Sequence, residues 1–141
     1  NETMEQIDVK YNEGMSFETE LNGHKLTIDA KEEVGGKNLG PRPKPLMLLA
    51  LGGCTGIDVV SMLKKMRVDF DDFNIKIAAE QTDEHPVHYN KFHITYEIWG
   101  KDLDRKKIDK AISLSQDKYC GVSEMLRKSS ELTHEVKIYG N

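Results

Sequence analysis

The thiols of Cys54 and Cys120 stand out from the rest of this 141-residue chain as groups able to do redox chemistry. A thiolate can attack a peroxide O–O bond and become a sulfenic acid. A second thiol can then condense with that acid to a disulfide, which an external thiol reduces. The wide spacing of the two cysteines neither demands nor forbids such a pair, because contact depends on the fold. Cys54 stands in Leu51-Gly52-Gly53-Cys54-Thr55-Gly56, inside the most apolar stretch of the chain. A cysteine there also fits as a small, inert hydrophobe. The flanking glycines argue against that reading, since glycine inside a helix costs roughly 1 kcal/mol relative to alanine. They leave space beside the sulfur, for close packing or for a substrate.

Helical spacing puts Asp58, Ser61 and Lys65 on the same side as Cys54. A carboxylate one turn away raises a thiol pKa, so reactivity at Cys54 requires a compensating cation, whose source the sequence leaves open. Cys120 follows one expected helix and precedes another. Helix N-termini lower thiol pKa values, which suits a partner thiol; an inert cysteine at a helix junction fits the position as well. His85, His88 and His93 cluster around a turn and a strand, but their spacing matches no structural zinc site, and neither a metal nor a cofactor is expected. No nucleophile-elbow sequence supports a triad built on Asp58.

The elements that must position these groups follow from periodicity. Ile7, Val9 and Tyr11 alternate with polar residues, as do Met15, Phe17, Thr19 and Leu21, and then Leu26, Ile28 and Ala30. Asn22-Gly23 between the last two sets is the dipeptide that best suits a tight hairpin turn. These three strands form a meander. A loop over 31–45, rich in glycine and proline, precedes a helix that starts at Pro45 and runs to about Met66. Leu46, Leu49, Ala50, Gly53, Ile57 and Val60 share one helical face, yet apolar residues cover most of the remainder. A helix apolar nearly all round is surrounded by protein on several sides, which one small domain can hardly supply, so a dimer with a shared core is expected. Strands are expected over 73–80 and 91–99. A helix capped by Asp104 should run to about Lys118, a short helix should follow Cys120, and a last strand, HEVKIYG, should close the chain. The order βββ-α-ββ-αα-β gives an α+β fold with largely antiparallel strands.

Length allows one domain, over 1–141. Acidic and basic residues are interspersed around a net charge of −4, so no basic stripe marks a nucleic-acid partner. The longest uninterrupted apolar run, Leu46 to Leu51, is far short of a membrane span, and the polar start Asn1-Glu2-Thr3-Met4-Glu5 is unlike a signal peptide. Two cysteines make no secreted disulfide framework. The expected location is the cytoplasm, where paired cysteines are more often redox-active than structural.

Three segments carry a family resemblance: GPRPKPLMLLALGGCTGIDVVSMLKKM at 40–66, EHPVHYNKFHITYEIWGKDLD at 84–104 and LSQDKYCGVSEML at 114–126, with GMSFETELNGHKLTIDA near the N-terminus adding to them. Together they resemble the OsmC/Ohr family (osmotically inducible and organic hydroperoxide resistance proteins), in its YhfA-like branch. The resemblance implies an OsmC-like fold: antiparallel sheets packed around a long buried central helix, in an intertwined homodimer with sites at the subunit interface. It implies that Cys54 matches the peroxide-reacting cysteine and Cys120 the resolving one, with a dithiol as reductant. The family's peroxidases also use an arginine from the N-terminal strands and a glutamate at the start of the central helix. Here no arginine precedes Arg42, and the corresponding helix start reads Lys44-Pro45.

Two functions are therefore expected to compete. One is thiol-dependent reduction of organic hydroperoxides through Cys54 and Cys120 in an oxidative-stress setting. The alternative is a non-peroxidase protein that binds an apolar or electrophilic small molecule at a dimer interface, with the cysteines serving at most as a redox sensor.

Overall fold

Asn22 and Gly23 both adopt positive φ, 53° and 82°, and so close a tight hairpin of the primed type in the computed structural model, which describes residues 4–140. The polar opening Asn1–Thr3 lies outside the described residues. The hairpin joins β2 (Phe17–Leu21) to β3 (His24–Ile28), and β1 (Lys10–Tyr11) pairs antiparallel with β2, giving a sheet of order β1-β2-β3. β1 is shorter than the alternation of Ile7, Val9 and Tyr11 suggests. Its register sets Lys10 against Glu18 and Tyr11 against Phe17. Continuing that register would put Asp8 opposite Glu20, a like-charge pair that destabilises a ladder. This sheet belongs to a first compact unit that extends to Met47. Its glycine- and proline-rich loop is organised by Asp29, whose carboxylate accepts from the amides of Ala30, Lys37 and Leu39.

A second compact unit begins at Leu48. Most of α1 (Leu46–Lys65) lies in it, followed by β4 (Asp72–Gln81), β5 (Tyr89–Trp99), α2 (Arg105–Leu114), α3 (Gly121–Arg127) and β6 (Glu131–Tyr139). The strands form a sheet of order β4-β5-β6. β4 is antiparallel to β5, whereas β6 runs parallel to it, the return of the chain being made through α2 and α3. β5 is central and places Phe92, Ile94, Tyr96 and Ile98 in the core. Leu51, Val59 and Leu63 of α1 and Ile108, Ala111 and Ile112 of α2 pack in the same cluster. Asp104 caps α2 as expected, accepting from the amides of Lys106 and Lys107. The architecture is α+β, with two small sheets and one long helix.

α1 buries a single stripe at four-residue spacing: Leu51, Thr55, Val59 and Leu63. Leu49 and Ile57, on the face grouped from the sequence, are 69% and 73% exposed in the chain. Periodicity could not choose between faces because both are apolar. By length and composition α1 could also cross a membrane. Its buried stripe is instead joined to β5 and α2 in one core.

Candidate functional site

Cys54 sits at the midpoint of α1, where glycines set how closely the neighbouring strand approaches. A Cβ on Gly52 would stand 3.3 Å from Ile77 Cγ1, and one on Gly56 would stand 2.9 Å from Ile75 Cδ1. These two glycines therefore serve close packing of α1 on β4, and Gly56 admits no larger residue without movement. Gly53 has open space around it. Cys54 is half-buried, and Asp58, one turn on, shares its side of the helix.

Cys120 comes from the junction between α2 and α3. The helix expected to continue to Lys118 keeps α-helical form only to Leu114, and Ser115–Tyr119 widen into a π-helical turn. Such turns are frequent at functional sites. The Cys120 amide closes the turn by donating to the Ser115 carbonyl at 2.7 Å. Arg127 braces it from α3, donating to the Gln116 carbonyl at 3.0 Å. Cys120 is thereby placed as the N-cap of α3, 3% exposed, its sulfur accepting from the Ser123 amide at 3.3 Å. The sulfurs of Cys54 and Cys120 and a carboxylate oxygen of Asp58 all lie within 4.8 Å of one another.

Behind this trio runs a buried chain of hydroxyls. Tyr96 Oη lies 2.7 Å from Thr55 Oγ1, which lies 2.7 Å from Ser115 Oγ, which lies 3.0 Å from Asp58 Oδ2. The direction of each bond follows from donor counting. A carboxylate only accepts, so Ser115 donates to Asp58 and must accept from Thr55; Thr55 then accepts from Tyr96. The Gln116 amide donates to both Tyr96 and Thr55, at 2.9 and 3.2 Å. Every hydroxyl thus donates toward Asp58, and the chain is satisfied throughout.

Electrostatics at Cys54 run against ionisation. Burial pushes its thiol pKa up, the adjacent Cys120 and the Asp58 charge push it further up, and the backbone amide of Val122 works in the opposite direction. None of these leading influences is a cation. Tyr96 is likewise raised, chiefly by burial.

The family model described as OsmC-like protein matches residues 35–135. The chain belongs to the OsmC family. Among its relatives, protein YhfA of Escherichia coli (strain K12) is 36% identical over 134 residues, which span 94% of this chain and 97% of that protein. A hypothetical protein of Aquifex aeolicus VF5 has the same fold, with a TM-score of 0.81 at 28% identity over 98% of this chain and 99% of its own. An organic hydroperoxide resistance protein OsmC from Legionella pneumophila, described as a predicted redox protein, shares the fold at a TM-score of 0.65 and 12% identity, over 96% of this chain and 99% of its own.

The OsmC-like fold thus brings together Cys54, Asp58 and Cys120, three residues that the sequence had singled out. Ser61 and Lys65 lie further along α1, in the wall of a groove of about 490 Å³ that also includes Asp58. Arg42 is taken up by its own loop, donating to the carbonyls of Ala30 and Gly40 and to the Asn38 side chain. The histidines do not converge: His88 bonds the Pro86 carbonyl, and His93 bonds Thr133 and Glu135. Thr55, Tyr96, Ser115 and Gln116 were missed. A signal for Tyr96 existed, because it occupies an inward strand position among Phe92, Ile94 and Ile98, where a buried hydroxyl must find a partner.

Proposed function

We propose that this OsmC-family chain reduces organic hydroperoxides in the cytoplasm, with Cys54 as the attacking thiol and Cys120 as its resolving partner. The observation that carries the reading is the approach of the two sulfurs to within 4.8 Å, from elements far apart in sequence. The Cys54 thiolate attacks the O–O bond, giving a sulfenic acid and an alkoxide that takes a proton to leave as an alcohol. The Cys120 thiol then displaces water from the sulfenic acid and forms the disulfide, and an external dithiol reduces the bridge while becoming a disulfide itself. Closing the bridge brings the sulfurs to about 2.05 Å. Asp58, with a carboxylate oxygen within 4.8 Å of both sulfurs, is the group assigned to relay the protons that these steps consume and release. The groove walled by Ile57, Asp58, Met62, Leu114 and Tyr119 gives an apolar peroxide a route to the site. The fold shared with the Legionella hydroperoxide resistance protein supports the same setting.

The working unit in this reading is a homodimer of single OsmC-like domains spanning 1–141. A second copy would cover the outer face of α1, where Leu49, Ile57 and Gly53 border an apolar groove of about 840 Å³ between α1 and β4.

A second reading rests on the electrostatics. With its pKa raised and no cation among the main influences, Cys54 suits a slow sensor or a binder of electrophilic, apolar molecules. One experiment separates the two. Reduced protein is mixed with cumene hydroperoxide or hydrogen peroxide, and thiol loss and intact mass are followed with time. Rapid formation of a Cys54–Cys120 disulfide, abolished by Cys54→Ser, is the expected result. Thiols that persist in excess peroxide would refute the peroxidase reading and favour the second.

A further inference from the structure

Among the described residues, Cys54, Asp58 and Cys120 form a group of thiol and carboxylate side chains close enough to share one metal ion. We propose that the reduced site binds a zinc ion through Cys54 Sγ, Cys120 Sγ and an oxygen of Asp58, and that oxidation of the two thiolates by a hydroperoxide releases it. The inference goes beyond the peroxidase reading, since the binding step requires only the reduced pair.

The geometry is close to what zinc needs. Two thiolates bound tetrahedrally at about 2.3 Å stand about 3.8 Å apart, with a carboxylate oxygen at about 2.0 Å from the ion. Atoms already within 4.8 Å reach that arrangement by contracting about 1 Å, within the range of side-chain rotation. Two ligands come from one helix face, a turn apart, and the third from the N-cap of α3, so no local sequence spacing advertises the site. The ligand chemistry selects the metal. Two soft thiolates disfavour magnesium and calcium, and the carboxylate suits zinc better than copper(I). Ionising both thiols beside Asp58 gathers three negative charges, of which a divalent ion offsets two.

Supporting contacts are in place. Ser115 donates to Asp58 Oδ2, and the Ser123 amide donates to Cys120 Sγ, as outer groups that orient metal ligands do. The Ser123 hydroxyl is fully buried and has no hydrogen-bond partner among the described residues. Asp58 faces the groove of about 490 Å³, which gives the ion an entry path and leaves its fourth position to water.

The steps balance. Binding converts two thiols and Zn²⁺ into a zinc dithiolate and two protons. Oxidation consumes the dithiolate, one hydroperoxide and two protons, and yields the disulfide, one alcohol, one water and free Zn²⁺. While zinc is bound, both sulfurs are held as ligands and Cys120 cannot resolve a sulfenic acid.

The test uses the reduced 141-residue chain, freed of small thiols. It is titrated with zinc against a chromophoric chelator, and with cobalt(II), whose thiolate charge-transfer band reports sulfur ligation. Uptake of one ion per chain with that band is expected. Cys54→Ser and Cys120→Ser should abolish it, and Ser115→Ala should weaken it about 10–100-fold. Thermal unfolding of each variant shows that the fold persists. No competitive uptake, or uptake unchanged in both cysteine variants, would overturn the proposal. Cumene hydroperoxide added to the zinc-loaded protein should release zinc in step with disulfide formation, and retention of the ion would overturn the redox coupling. A metal-free chain that still forms the disulfide would leave the peroxidase reading standing while zinc binding fails.

Discussion

Replacing Thr55 with valine should cost more stability than replacing Tyr96 with phenylalanine, although each change removes one buried hydroxyl. Thr55 is fully buried and holds three partners: Tyr96 and Ser115 at 2.7 Å, and the Gln116 amide at 3.2 Å. Valine keeps the shape and removes the hydroxyl. The Tyr96 O–H then has no acceptor, and Ser115 loses its donor while still donating to Asp58. A buried donor left unpaired costs about 1–3 kcal/mol, and the weakened Ser115 adds a smaller amount, so Thr55→Val should destabilise by about 2–4 kcal/mol. In Tyr96→Phe, Thr55 keeps Ser115 as acceptor and Gln116 as donor, and the Gln116 amide keeps Thr55. No buried group is orphaned, and the cost should be about 0.5–1.5 kcal/mol. Urea unfolding at one fixed protein concentration measures both, as the shift in midpoint multiplied by a common slope. A Tyr96→Phe cost equal to or above that of Thr55→Val would refute the direction assigned to the hydroxyl chain. So would a Thr55→Val cost below about 0.5 kcal/mol.

Asp58→Asn removes a like charge beside Cys54, so alkylation of Cys54 by iodoacetamide should speed up at fixed pH and its pH profile should move to lower pH; an unmoved or raised profile would count against the contact. Because burial raises the folded Cys54 pKa above the unfolded value, the folded state holds its proton longer. Stability should therefore be steady at neutral pH and fall as pH rises through the ordinary thiol range near ~8.5, and Cys54→Ser should flatten that fall in urea midpoints taken on either side of it. Ile57→Glu places a charge on the exposed face of α1; sedimentation should show the proposed dimer giving way to monomer, and an unchanged mass would place the interface elsewhere.

What the sequence disclosed followed from how strongly each feature is constrained locally. Asn22-Gly23 was legible because few dipeptides tolerate two successive positive φ angles. Asp104 was legible because a helix N-terminus needs a side-chain acceptor. The extent of α1 was plain, but its buried side was not, since Leu49 and Ile57 are as apolar as Leu51 and Val59. The bend after Leu114 was invisible, because Ser115–Tyr119 read as ordinary helix until the turn has to deliver Cys120 to the flank of α1. Cys54 and Asp58 could be paired from helical spacing, whereas their meeting with Cys120 depends on α2, the π-helical turn and α3 acting together.

The hydroxyl chain explains how a carboxylate can sit beside two thiols. Ser115 supplies Asp58 with a donor, Thr55 supplies Ser115, and Tyr96 supplies Thr55, so the carboxylate is held by aligned hydroxyl dipoles. Aligned dipoles fix Asp58 in place but cancel none of its charge. The cost of forming a thiolate next to it therefore remains, as the raised Cys54 pKa requires. A site built this way disfavours ionisation of Cys54, and two routes lower that cost. A proton can pass from a thiol to Asp58 as the peroxide O–O bond breaks, or a divalent ion can enter and offset two of the three negative charges. The first is the route of the proposed peroxidase and the second that of the proposed metal site, and both draw on the same three atoms.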